Sequence, residues 1–134
     1  MRQVTPLGLF GSISSQSFFR SNADQIEALS GHIPMRERAC VSEYLKTAPV
    51  VIALMGYTVD VVGEKFSVMG GSAIHSDGAY YWRRDTAEYV EVYGTLLPVE
   101  FMERGAKAGW RTPFLTDEEI MEIDAFFMSL RESE

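Results

Sequence analysis

Four side chains within one short stretch are of the types that do acid–base or ligand chemistry: His75, Tyr80, Trp82 and Asp85, with Glu88 just beyond. Ser76-Asp77-Gly78 lies between two strand-like runs, and Asp-Gly at such a point favours a two-residue type I′ turn. With Asp77 and Gly78 as the loop, Ser76 is expected to pair with Ala79, His75 with Tyr80, Ile74 with Tyr81 and Ala73 with Trp82. Alternation then sets Ala73, His75, Tyr80 and Trp82 on one face, and Ile74, Ala79 and Tyr81 on the other. An imidazole beside two aromatic rings, with Asp85 at the next helix start, has the composition of a small-ligand pocket or a weak acid–base site. The same residues also suit ordinary sheet packing in which His75 makes one structural hydrogen bond.

Other chemistries find no support. Neither His32 nor His75 sits in an H-x-x-x-H or H-E-x-x-H frame, so no metal site is expected. Gly63-Glu64-Lys65 lacks the upstream glycine and the following hydroxyl of a phosphate loop, and no G-x-S-x-G elbow occurs. No catalytic residue and no cofactor are therefore assigned. Cys40 is the single cysteine, which precludes a disulfide within the chain; placed on a helix, it is expected to be buried and inert. The basic pairs Arg36/Arg38 and Arg83/Arg84 are expected to bridge nearby carboxylates.

The elements that must position these residues follow from periodicity and punctuation. Residues 1–30 form a serine-rich arm whose Phe10, Phe18 and Phe19 demand burial against the domain or a partner, with a short helix opening at Asn22 or Asp24. Residues 31–134 form one domain. Val41, Tyr44, Leu45 and Ala48 share one face of a helix from Pro34 to Lys46. Val50–Met55 and Thr58–Val62 fit short buried strands, and Gly70-Gly71 weakens the strand that enters the hairpin. Asp85 and Glu88 have the spacing of a capping box opening a helix that ends at Gly94. Pro98 opens the next helix, and Thr116 with Glu119 caps the last, whose Ile120, Ile123, Phe127 and Leu130 recur at helical spacing. The fold class is α+β: a small, mainly antiparallel sheet with the Asp-Gly hairpin, covered on one face by four to five helices.

The 134 residues carry a net charge of −7, which argues against a nucleic-acid partner. The charge is uneven. Asp117, Glu118, Glu119, Glu122, Asp124, Glu132 and Glu134 stand against Arg131 in the last helix, a net of −6, leaving −1 for the rest. Met121 and Met128 point away from that helix's buried stripe, among its acids. Asp117, Glu118, Met121, Glu122 and Met128 are thus the candidate partner-binding residues. No run of about 18 apolar residues occurs, so no membrane span is expected, and the apolar stretch Pro6–Phe10 is too short for a signal peptide. A reducing cytoplasm is the expected compartment.

The segment D-G-A-Y-Y-W-R-R-D-T-A-E-Y-V-E-V-Y-G-T-L-L-P-V-E-F, Asp77 to Phe101, resembles a frame met in small bacterial accessory proteins of integron gene cassettes and toxin–immunity neighbourhoods. That frame is an Asp-Gly turn, an aromatic strand ending in Trp, a Tyr-rich helix, and Leu-Pro opening another helix. The resemblance implies a bacterial accessory protein and no catalytic residues. Two functions follow as expectations. The first is a non-enzymatic, immunity-like module that binds another protein or a second copy of itself. The alternative is a small-ligand site or minor enzyme on the His75/Tyr80/Trp82 face.

Overall fold

The computed structural model describes residues 2–13 and 15–133. Strand β1 (Thr5–Pro6) is followed by a 3₁₀ turn (Gly8–Gly11) and the short helices α1 (Gln16–Ser21) and α2 (Ala23–Ala28). Helix α3 (Met35–Thr47) leads to β2 (Val50–Ile52), and β3 (Thr58–Val59) and β4 (Ser67–Val68) form a separate antiparallel pair. The hairpin β5 (Ile74–Ser76) and β6 (Tyr80–Arg83) then precedes α4 (Thr86–Tyr93), α5 (Val99–Lys107) and α6 (Asp117–Ser133). The α+β class expected from the element order is what the chain adopts.

The main sheet runs β1-β6-β5-β2, with β1 parallel to β6 and the other pairs antiparallel. The parallel strand was not foreseen, because two residues carry no alternation to read. It comes from the serine-rich first thirty residues, which also place Leu7, Phe10, Phe19 and Ile26 in the main core.

Helices cover both faces of this sheet, which corrects the one-face expectation. On one side α3, α4 and α5 enclose Trp82 together with Tyr44, Leu45, Tyr89 and Phe101. On the other, Ile123 and Phe127 of α6 pack on Ile74 and Tyr81, the Tyr81 and Phe127 rings meeting edge to face at 4.6 Å. The reason lies in the hairpin itself. Both alternating sets of its residues carry large apolar groups, so neither face can be left in water.

The hairpin register also differs from expectation. Ser76 pairs with Tyr81, His75 with Trp82 and Ile74 with Arg83, two residues beyond the two-residue-loop alignment. Asp77 causes the shift: its Oδ1 accepts from the backbone N–H groups of Ala79 (2.9 Å) and Tyr80 (2.8 Å), winding those residues into the turn. Ser76 Oγ accepts from Gly78 N–H at 3.0 Å and donates to the Tyr80 carbonyl at 2.7 Å. A shift of two preserves side-chain parity, so the expected membership of each face survives.

Two smaller expectations are corrected. Asp85 precedes α4, yet its side chain makes no cap bond to the helix, because it is drawn to Arg83 instead. Cys40 is exposed, since it lies about 100° around α3 from Val41 and so falls off the buried stripe. By contrast, the Thr116/Glu119 box forms reciprocally, with Glu119 N–H donating to Thr116 Oγ1 and Thr116 N–H donating to Glu119 Oε1, both at 3.1 Å.

Candidate functional site

Of the four hairpin candidates, only Tyr80 is more than slightly exposed. His75, Trp82 and Asp85 are each at most 1% exposed. His75 Nδ1 donates to the Ala48 carbonyl at 2.8 Å, and Trp82 Nε1 donates to the Leu45 carbonyl at 3.0 Å. Leu45 lies in the last turn of α3 and Ala48 is the extended residue that follows it, where carbonyls have no partner within the helix. The two rings thus tie the hairpin to the end of α3. Burial holds the His75 imidazole below its ordinary range; the Ala48 bond opposes this and the nearby Arg84 charge adds to it. Its Nε2 has no hydrogen-bond partner.

Tyr80 packs at the edge of the same interior, its ring 5.4 Å from that of Phe101. It lines an open groove of about 480 Å³ together with Thr5, Glu100, Glu103, Arg104 and Lys107. Asp85 is on neither. It follows β6 and meets Arg83 from the opposite face of the hairpin, Nη2 to Oδ2 at 2.5 Å. Among the described residues, the main cavities are lined by neither His75, Trp82 nor Asp85. The structure therefore sets His75, Trp82 and, at its rim, Tyr80 in one aromatic interior and Asp85 in another environment, with Arg83.

The Arg83–Asp85 pair is almost wholly buried, with side chains 2% and 1% exposed. Arg83 also donates from Nη2 to Gln16 Oε1 at 3.1 Å and lies 4.0 Å from the centre of the Phe19 ring. Burial pushes the Asp85 carboxyl up to about 6, against the pull of the Arg83 charge. Thr58, Thr86, the second oxygen of Asp85 and Arg83 Nε make this a buried polar cluster with several unmatched atoms. Gly71 permits the approach of β3 to it: a Cβ there would fall 1.8 Å from Thr58 Oγ1. Arg83 bridging a carboxylate is what the sequence suggested. Its depth was not legible, because the walls come from four distant segments.

The candidate partner-binding residues all lie on α6. Ile123 and Phe127 are fully buried, and Ile120 and Leu130 pack at the edge of the same contact. At about 100° per residue, the outer arc then runs Asp124, Asp117, Met128, Met121, Ala125, Glu118, Glu122. All seven are exposed, Met121 at 71% and Met128 at 50%. The helix therefore shows an apolar seam of Met128, Met121 and Ala125 with carboxylates along both sides. Its amino end is fixed by Arg2, whose Nη1 meets Glu119 Oε2 at 2.5 Å and whose backbone N–H donates to the Glu122 carbonyl at 3.2 Å. Phe114, 86% exposed just before this helix, is an apolar group that periodicity did not single out, since it belongs to no element.

No group of three or more histidine, cysteine, aspartate or glutamate side chains placed to hold a metal occurs among the described residues. No helix there is long and apolar enough to cross a membrane. No protein-family model matches the chain, and neither does any curated protein or solved structure.

Proposed function

We infer that this chain is a non-enzymatic protein-binding module, immunity-like in the sense that it engages a basic partner, and that its contact surface is the outer face of α6. The observation that carries the reading is the methionine seam of Met121 and Met128, exposed between Asp117 and Asp124 on one side and Glu118 and Glu122 on the other. Methionine is flexible and polarisable, so it adapts to a partner's apolar surface, while flanking carboxylates steer a basic partner into place. The inner face of the same helix is committed to the core through Ile123 and Phe127, so the seam is presented on a rigid support. The solvent-facing carboxylates account for most of the chain's net charge, which concentrates steering at one place.

The test is a photo-crosslinking residue at position 125, at the centre of the seam, compared with one at position 64, in the loop between β3 and β4. A basic protein captured in host cells from position 125 alone, and lost in Glu118→Lys/Glu122→Lys, supports the reading. Association with that protein should also slow steeply as salt rises. Identical capture from both positions would remove it, and capture of a second copy of the chain would reassign the face to self-association.

A further inference from the structure

The two edges of the main sheet are finished differently. On the β1 edge, Thr5 and Leu7 turn their N–H groups inward to the carbonyls of Ala79 (2.9 Å) and Tyr81 (3.0 Å), so the residue between them, Pro6, faces out and has no N–H to offer. The 3₁₀ turn folds back over that same residue: a Cβ added at Gly11 would fall 2.5 Å from Pro6 Cα. This edge is closed to a further strand.

The edge formed by β2 is open. Ser76 N–H donates to the Pro49 carbonyl at 3.1 Å and Val50 stands opposite His75, so the N–H and C=O of Val50 point away from β5. Val50 is 42% exposed. No Asp, Glu, Lys or Arg occurs between Lys46 and Asp60, so the edge lacks the charged side chain that commonly discourages pairing. Three residues with a bulge are a poor docking strand by themselves; what distinguishes this edge is the apolar surface that continues from it.

Leu54, Met55 and Tyr57 follow β2, with Met69 beside them. Tyr57 precedes Thr58, which pairs with Val68, and Met69 forms the corner of the turn in which Gly71 N–H donates to the Val68 carbonyl at 3.3 Å. The Leu54 carbonyl lies against Gly70, 3.2 Å from where a Cβ would stand, so the two segments share one surface. Met55 is 83% exposed, Met69 72% and Tyr57 61%. With the partly exposed Val50 and Leu54, this amounts to about 600 Å² at roughly 200 Å² per large side chain, as much as the largest apolar patch on an ordinary monomer. Doubled across a two-fold axis, about 1,200 Å² reaches the lower bound for a specific protein–protein interface.

We propose that a second copy of this chain docks here, with residues 50–55 of the two copies pairing antiparallel about a two-fold axis and Met55, Tyr57 and Met69 buried between them. No Asp, Glu, Lys or Arg occurs between Lys65 and Asp77 either, so the surface offers nothing for a partner of opposite charge to read. Recognition falls to backbone pairing and apolar contact, which a second copy supplies in equal measure. A net charge of −7 opposes self-association over much of the chain, whereas at this face two copies meet without like charges in contact. The α6 face plays no part in the pairing.

The test is sedimentation velocity of the full chain over a range of concentrations, in low and high salt. The expected result is a concentration-dependent dimer whose strength does not fall as salt rises, in contrast to association of a basic partner with α6. Met55→Glu/Met69→Glu sets carboxylates on the two most exposed side chains of the patch and should weaken the dimer by about tenfold or more, through like charges facing each other across the axis. Val50→Lys, which charges the pairing edge itself, is the second probe and should do the same. Either variant, folded by circular dichroism and sedimenting as a monomer, supports the proposal. A wild-type monomer up to about 0.1 mM, a dimer that persists in a folded variant of either kind, a dimer that salt dissociates, or one dissolved by Glu118→Lys/Glu122→Lys would each overturn it.

Discussion

The two faces of the β5–β6 hairpin are built from alternate residues of the same strands, yet they treat buried polar atoms differently. On the His75/Trp82 face each ring spends one N–H on a carbonyl at the end of α3, a single uncharged atom, His75 Nε2, is left without a partner, and aromatic groups fill the remaining space, with Trp82 5.7 Å from the Phe101 ring and 6.1 Å from the Tyr44 ring. On the Ile74/Arg83 face a full ion pair is buried beside a cavity, and atoms of both partners remain unmatched. The first arrangement is what packing alone would produce. The second is more expensive than a hydrophobic filling of the same space. A residue's chemical repertoire is thus a poorer guide to a site than the degree to which its surroundings leave that repertoire unspent.

Substitutions on each face should separate packing from pairing. Trp82→Ala is expected to cost the most, about 4 kcal/mol, because it empties the centre of the aromatic cluster and removes the bond to Leu45. Urea denaturation would register it, and a loss below about 1 kcal/mol would show that this face is not the core. Asp85→Ala is expected to cost about 3 kcal/mol by leaving the Arg83 charge buried alone. Replacing both partners, Arg83→Met with Asp85→Leu, should recover most of that loss. A double variant as unstable as the single one would mean the pair itself, and not its disruption, supports the fold.

Titration provides a gentler contrast, with opposite signs for the two faces. His75 has a folded pKa below its unfolded value, so its contribution is intact above about 6.5 and is lost as pH falls toward the lower folded value. Asp85 is raised from 3.8 to about 6, so its contribution is fully present below 3.8 and is lost as pH rises through about 6. His75→Gln should therefore flatten the acid side of the stability profile below about 6.5, and Asp85→Asn should remove a decline between pH 4 and pH 6. Stability measured across that range in both variants checks the signs. Smallest of all, Met121→Ser should alter stability by less than about 0.5 kcal/mol, while Phe127→Ala, on the same helix but facing the sheet, should cost about 3 kcal/mol or more.

Much of the scaffold could be read from the chain because its signals are local. The stripe Val41, Tyr44, Leu45 and Ala48, the Thr116/Glu119 box and the outward setting of Met121 and Met128 each depend on residues within two turns of a helix. The Asp-Gly turn was visible, but its register was not, since the Asp77 carboxylate competes for the same backbone donors that a two-residue loop would leave in a ladder. Asp85 had the spacing of a cap and lost that role to Arg83, two residues away, whose charge is the stronger attraction in a dry interior. The cavity was illegible for a different reason. Its walls are brought together from the segment before α1, from the end of β2, from the turn entering β5 and from β6, and no pattern within any one of these marks a shared space.

The parallel pairing of β1 with β6 bears on how the chain reaches this state. Thr5 and Pro6 find their ladder only after Tyr80 and Tyr81 exist, and Arg2 reaches its bond with Glu119 across 117 positions of sequence. Closing loops of that length is entropically uphill before any contact rewards it, so these steps are expected to come late in folding. During synthesis, Phe10 can meet Phe19 early, but Tyr89, its other ring partner, emerges only with the second half of the chain.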